Sequence, residues 1–340
     1  MNRIPLPIQQ FVAVHQDKLW WLHSAYSLAL GVAVMWLGAR DFTYIRFVTV
    51  PLAAIWVSGL LLPWVVNHPR QGPVWGRRLR LAVNYLNRNY YQQVLFFILP
   101  LYAASVTPWS RNMVFVGVLG VSAVLSTLDI VYDRWLSAHW LAFSLFFAFN
   151  LFATVNLMLP ILWKVGNTAA MYWSAAVALA GFASFCFRLS GLAWKQRRQL
   201  LLAAALLLLV LVEAGRPWIP PAPMRLLKTE FGRGIVAGRL RIVSPLEALP
   251  AGWSGRLYAL AAIEAPQGLE ERVCHRWYLD GRPVYFSPFY HITGGRRLGF
   301  RLWTTAAFRD VPPDGVVRLD VVTEGGQLVG RSTLRAAAAP

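Results

Sequence analysis

Long apolar runs separated by short charged breaks fill the first part of the chain, and after Ala214 the pattern switches to short segments in which apolar and polar residues alternate. A helical run of about 17 to 25 apolar residues is long enough to cross a bilayer. Seven segments have that character: 20–39, 42–66, 91–107, 112–130, 139–162, 168–187 and 199–214. The third and seventh are the shortest. The first lies too far from the start and runs too long for the apolar region of a signal peptide, so it is read as an uncleaved span.

Past the last run, Gly215-Arg216-Pro217 and then Pro220, Pro221 and Pro223 read as a stiff extended stalk over 215–224. The alternating segments 235–243, 256–263, 272–279, 283–289, 298–305, 316–323 and 327–334 read as strands. Asp280-Gly281 is a strong hairpin signal between two of them, and Gly325-Gly326 is a second. The expected fold class is therefore α + β and multidomain. A polytopic helical membrane bundle of about seven spans over 1–214 is followed by a small all-β immunoglobulin-like sandwich over 225–340, with a small barrel as the alternative.

Charge adds an orientation. The 340 residues carry 33 Lys+Arg against 15 Asp+Glu, a net +18, and such a balance raises nucleic acid as a partner. The densest basic clusters, however, sit beside apolar spans: Arg70, Arg77, Arg78, Arg80 and Arg88 after the second, and Arg188, Lys195, Arg197 and Arg198 after the sixth. The excess of basic residues in cytoplasmic loops accounts for them, so nucleic acid is excluded and the bilayer is the expected partner. Leu79, Val83, Leu86 and Tyr90 recur at helical spacing among those arginines, as in a helix lying in the headgroup region. With both clusters cytoplasmic, the N-terminus is inside and the C-terminal domain is periplasmic, in the inner membrane of a bacterium. Cys186 and Cys274 fall in different regions and are expected as free thiols.

The run Val273-Cys274-His275-Arg276-Trp277-Tyr278 precedes the Asp280-Gly281 turn and is followed by Gly294-Gly295-Arg296, Arg301-Leu302-Trp303-Thr304 and Gly326-Gln327-Leu328-Val329-Gly330. This set resembles the DUF2914 family of bacterial envelope domains. Leu125-Ser126-Thr127-Leu128-Asp129 and Asn156-Leu157-Met158-Leu159-Pro160 resemble the DUF5924 membrane region often joined to that domain. The resemblance implies a family and no reaction.

Alternation along 272–279 puts Val273, His275, Trp277 and Leu279 on one face and Cys274, Arg276 and Tyr278 on the other. In 298–305, Arg301 and Trp303 share one face if Phe300 and Leu302 face the core, and Arg276 joins them if the two strands are neighbours. Guanidinium and aromatic planes suit an anion or a sugar, so His275, Arg276, Trp277, Arg301 and Trp303 are the ligand-binding candidates. Gly294-Gly295-Arg296-Arg297 lacks the Lys-Ser/Thr and the helix of a phosphate loop, but is the best anion contact among the loops. Inside the apolar part the polar candidates are Asp129 and Asp133 on one helix face, His139 close by, and Asn150 and Asn156 deeper in the fifth run.

No catalytic set, metal site or cofactor motif emerges: Ser287, Asp320 and Glu324 do not point to one cluster with His275, and the C-terminal domain offers only His275, His291 and Cys274 as nitrogen or sulfur ligands. The expected function is a non-enzymatic inner-membrane protein presenting a periplasmic sandwich for an envelope partner, protein or glycan. The rival is a membrane enzyme or transporter acting on a lipid-linked or small anionic substrate through the bundle, with Asp129 and Asp133 as its ionisable pair.

Overall fold

The computed structural model describes residues 21–22, 25–26, 28–29, 31–33, 94–128, 131, 135–136, 139–186, 193–250 and 252–337. The chain forms two compact units. One comprises Met1–Pro100, Gly117–Thr154 and Val177–Leu201; the other comprises Leu101–Val116, Val155–Ala176 and Leu202–Pro340.

Helices α1 (Val94–Ala104), α2 (Met113–Thr127), α3 (Trp140–Trp163), α4 (Asn167–Cys186) and α5 (Trp194–Gly215) occupy five of the expected runs. The expectation of a seven-span bundle is corrected here. Among the described residues only α3 and the helical stretch Trp194–Trp218 are long and apolar enough to cross a membrane. The physical reason is that apolar turns extended the runs beyond their helices. The 15 residues of α2 rise about 22 Å, short of a hydrocarbon core of roughly 30 Å. Ser105, Val106 and Thr107, counted within the run 91–107, lie past the end of α1 in the turn toward α2. In α4, Asn167, Thr168, Ser174 and Gly181 dilute the apolar character. Run 42–66 and the basic connection after it lie outside the described residues, and the described positions of the first run, between Trp21 and Ala33, are helical.

In the first unit, α3 and α4 approach closely at Gly181, where an added methyl would meet Leu151 at 2.6 Å. Among its described residues the second unit holds nine strands in two antiparallel sheets, ordered β2-β1-β3-β7 and β5-β4-β8-β9 with β6 also on β4. The strands are β1 (Arg225–Val236), β2 (Arg241–Pro245), β3 (Trp253–Glu264), β4 (Glu270–Leu279), β5 (Arg282–Phe286), β6 (Tyr290–Thr293), β7 (Phe300–Val311), β8 (Val316–Thr323) and β9 (Leu328–Arg335). Both hairpin signals hold. Asp280 and Gly281 both have positive φ between β4 and β5, the backbone such a tight turn requires, and Gly326 turns β8 into β9. The expected strand 235–243 is instead a hairpin, because a short 3-10 turn at Ala237–Arg239 splits it between β1 and β2.

The inner faces of the two sheets share their core. Phe231, Leu257, Trp277, Phe308, Val317 and Leu319 form one apolar cluster. Met224, Ile263, Leu269, Val273, Leu302 and Val321 form another. In the segment read as a stiff extended stalk, Ile219 to Met224 are all buried. Gln327 Nε2 donates to Ile219 O at 3.1 Å, and Asn167 Nδ2 lies 3.1 Å from Met224 Sδ.

Helix ends complete this unit. The Glu271 carboxylate on β4 accepts the backbone N–H of Asn167 at 2.7 Å, placing a negative group at the positive end of α4. Asn112, ahead of α2, donates to Leu328 O at 3.2 Å. The sandwich is thus hydrogen-bonded to the α1–α2 and α3–α4 connections, rather than held off on an extended tether.

Candidate functional site

The inward-facing candidates form a polar layer between the two apolar clusters. His275 and Trp277 on β4 are fully buried, and Thr304 on β7 reaches both: its Oγ1 lies 2.8 Å from His275 Nδ1 and 2.9 Å from Trp277 Nε1. Burial pushes His275 from its usual 6.5 down to about 3, so the ring is neutral at pH 7. One proton arrangement then satisfies Thr304. Its oxygen accepts from the indole and its hydroxyl donates to His275 Nδ1, which leaves the ring proton on Nε2, an atom with no hydrogen-bond partner among the described residues. Ser287 is engaged by the backbone, accepting from His275 N and donating to Pro288 O. Trp277 also packs edge-on against Phe231 and Phe308, each at 6.0 Å. The one hydroxyl on the ring, that of Thr304, is shared with the Trp277 indole, and no carboxylate among the described residues hydrogen-bonds to the ring, as in a structural layer.

Arg276 does not join Arg301 and Trp303. β4 and β7 belong to different sheets, so the two groups lie on opposite outer faces. On the five-stranded sheet four guanidiniums, those of Arg331, Arg318, Arg276 and Arg272, have partners. Arg331 clasps Asp320 through two contacts of 2.7 and 2.9 Å, which raises its pKa further. Arg318 stacks over Tyr278 at 4.1 Å, Arg276 over Phe286 at 5.4 Å, and Arg272 pairs with Glu324 at 2.7 Å. Cys274, also on this outer face, is a free buried thiol whose pKa is raised by burial.

The four-stranded sheet carries a different outer face. Register aligns Lys228, Ala262 and Arg301 in one row and Glu230, Leu260 and Trp303 in the next. The small Ala262 leaves a floor between Lys228 and Arg301. Over that floor folds the β1–β2 hairpin, whose close approach depends on Gly232, where a methyl would meet Ile242 at 2.2 Å. Leu240 in the hairpin has a left-handed backbone, and its carbonyl accepts a 3.4 Å contact from Arg301 Nη1. The result is a cleft of about 330 Å³ lined by Lys228, Glu230, Arg239, Arg241, Leu260 and Arg301, among others. Lys228 pairs with Glu230 at 2.7 Å, and no ion pair reaches Arg239, Arg241 or Arg301 among the described residues. Trp303, half-buried beside Tyr258 at 6.4 Å, flanks the floor through Leu260. Three guanidiniums without a carboxylate partner among the described residues, around an apolar floor of Leu260 and Ala262, can hold an anionic group and its carbon skeleton.

The family model of DUF5924, a family of unknown function, matches residues 1–238. The chain belongs to the DUF5924 family. The matched residues end in the β1–β2 turn, so this membership covers the helices and β1 and stops before the His275 to Trp303 region. No curated protein matches. Among solved structures, the chain is similar to the Pseudomonas fluorescens alkylpurine DNA glycosylase AlkC bound to DNA containing an abasic site analog. Identity is 10%, the alignment covers 90% of this chain and 99% of that one, and the TM-score is 0.23. The expectation that excluded nucleic acid as a partner is corrected to the extent that this DNA-bound neighbour stands against it, and the exclusion is not carried further. A TM-score of 0.23 carries no argument that this chain holds DNA.

Among the helical candidates, Asn156 donates to the Tyr102 hydroxyl at 3.1 Å in a buried contact. The Asn150 side chain is buried without a partner among the described residues. His139 Nδ1 meets Trp135 O at 2.7 Å in an exposed turn. Asp129 and Asp133 lie outside the described residues. No group of three or more His, Cys, Asp or Glu suited to a metal occurs among the described residues.

Sequence reasoning found Arg301 and Trp303 but missed Lys228, Arg239, Arg241 and Thr304. Basic residues at 228, 239 and 241 carry no pattern of their own, since only the bent hairpin brings them to Arg301. The Gly232-Arg233-Gly234 spacing was the one available sign of that bend.

Proposed function

We propose that this DUF5924 protein is an inner-membrane protein whose periplasmic sandwich, a DUF2914-type domain, binds an anionic envelope ligand in the cleft beneath the β1–β2 hairpin, without catalysis. The observation that carries the binding role is the set of guanidiniums, Arg239, Arg241 and Arg301, that converge on a concave surface without carboxylate partners among the described residues. Guanidiniums gathered without counter-charges repel one another, and a bound anion relieves that repulsion. The apolar floor and the neighbouring Trp303 favour a compact ligand with a ring or carbon skeleton over a bare ion.

The membrane setting is supported by α5. Leu202, Leu206, Leu207, Leu209, Val210 and Leu211 are exposed over more than half of its circumference, a surface that water penalises and lipid does not. Trp109, Trp163 and Trp218 are exposed at the ends of α2, α3 and α5 that adjoin the sandwich, with Arg111, Lys164 and Arg216 beside them, as in the aromatic and basic belt of a membrane interface.

The test uses the full chain purified in detergent. Calorimetric titration with a uronic-acid disaccharide should give salt-sensitive binding, absent for a neutral disaccharide of the same size and lost in Arg241→Glu with Arg301→Glu. Binding unaffected by that charge reversal would sink the cleft, and preference for a short single-stranded oligonucleotide would replace the envelope ligand with nucleic acid. A C-terminal reporter fusion active only in the cytoplasm would overturn the topology.

A further inference from the structure

Resting on the membrane reading above, we infer that residues 294–299, between β6 and β7, form a docking loop for anionic lipid headgroups that holds the sandwich down on the bilayer surface. The loop lies at the end of the sandwich that carries the helix ends. Gly294 N–H donates to Leu269 O and Gly295 N–H to Ala265 O, both at 2.9 Å, so the loop is fastened to the β3–β4 turn. That turn in turn rests on the end of α3: a methyl at Gly268 would meet Lys164 Cε at 2.6 Å. Lys164 follows Trp163, whose indole is 66% exposed at the level of the proposed interface. The loop is therefore one layer from the belt, while the Asp280-Gly281 turn lies at the other end of the ten-residue β4, about 33 Å away.

The composition of the loop fits that level. Leu298 is 68% exposed, a large apolar side chain held at the surface in a loop. Arg296 and Arg297 stand beside it, Arg296 stacked on Phe300 at 4.5 Å and Arg297 exposed. Glu264 on the adjoining strand end pairs with Arg225, Glu270 lies 3.6 Å from His291, and the loop itself carries two arginines and no acid, so it presents a positive surface. A leucine inserted at the acyl boundary with arginines at phosphate level is the arrangement that amphipathic interfacial segments use. Neither arginine has a carboxylate partner among the described residues, and Arg296, though stacked on Phe300, stays exposed beside Arg297.

The experiment places an environment-sensitive fluorophore on Leu298→Cys, and in a separate protein on Arg282→Cys at the far turn, in the full chain with Cys186→Ser; Cys274 is buried and does not label. Each protein is reconstituted into phosphatidylcholine vesicles with and without phosphatidylglycerol. The expected result is blue-shifted emission at position 298 in the anionic vesicles, aqueous emission at 282 in both, and loss of the shift in Arg296→Gln with Arg297→Gln. That pair should lower the docked population by roughly 30-fold, about five-fold per charge. Failure of the protein to float with vesicles would overturn the membrane reading itself. Flotation with aqueous emission at 298, or an equal shift in both lipid mixtures, would overturn the docking loop and leave the membrane reading standing.

Discussion

The two outer faces of the sandwich use the same side chain for different ends. On the five-stranded sheet, Arg331, Arg318, Arg276 and Arg272 are each matched with a carboxylate or an aromatic ring, and Asp320 is 5% exposed at their centre. On the four-stranded sheet, Arg239, Arg241 and Arg301 gather around a cleft whose acid is already taken by Lys228. A guanidinium satisfied within the fold contributes to stability and leaves little to offer a ligand. One left unsatisfied contributes little to stability and keeps its donors free. Arginine count alone cannot separate the two faces; the identity of the cross-strand neighbour does.

The shared core beneath both faces sets the scale for testing this contrast. Trp277→Ala removes the largest fully buried side chain from between the sheets and should destabilise the sandwich by about 3 to 5 kcal/mol, read by thermal unfolding of the full chain. A smaller loss would mean that the sheets do not share the core described above. Next in size is pH. His275 falls from 6.5 to about 3 on folding, so the unfolded chain binds the extra proton between those values. Stability from this group is complete above pH 6.5 and declines as pH falls through that window, with a slope of at most about 1.4 kcal/mol per pH unit. His275→Leu should flatten that slope, and an unchanged acid limb would count against the buried neutral ring.

The two faces then part company. Asp320→Ala strands the Arg331 guanidinium and should cost about 1 to 3 kcal/mol with no change in ligand binding. Arg301→Ala should move stability by less than about 0.5 kcal/mol while weakening binding of the acidic disaccharide at least tenfold. Equal stability losses from these two substitutions would erase the distinction between the faces.

Much of the strand framework was legible because its signals are local. Asp280-Gly281 and Gly326 set turns that only positive φ permits, and the alternation in 272–279 correctly put His275 and Trp277 inward. The helical part was read less well. Residues in turns, Val106 among them, look the same to a hydropathy window as residues in helices, and the seven-span expectation followed from that. The proline-rich segment misled for a related reason: Pro stiffens a chain whether it is exposed or packed, and here Ile219 to Met224 are packed.

By itself, then, the sequence determined what is periodic and short in range: the change from apolar runs to alternating strands after Ala214, the two hairpins, and the placing of Arg301 with Trp303 on one face of their strand. Only the tertiary structure decided which sheet each strand joined, and with it that Arg276 stands on the far side from Arg301, that Thr304 bridges His275 and Trp277, and that a bent hairpin carries Arg239 and Arg241 over Ala262. The reason is that strand neighbours in a sandwich are separated by tens of residues in the chain. Backbone hydrogen bonding makes every pairing chemically alike, so the choice among them is made by how whole faces pack, a property no window of sequence contains.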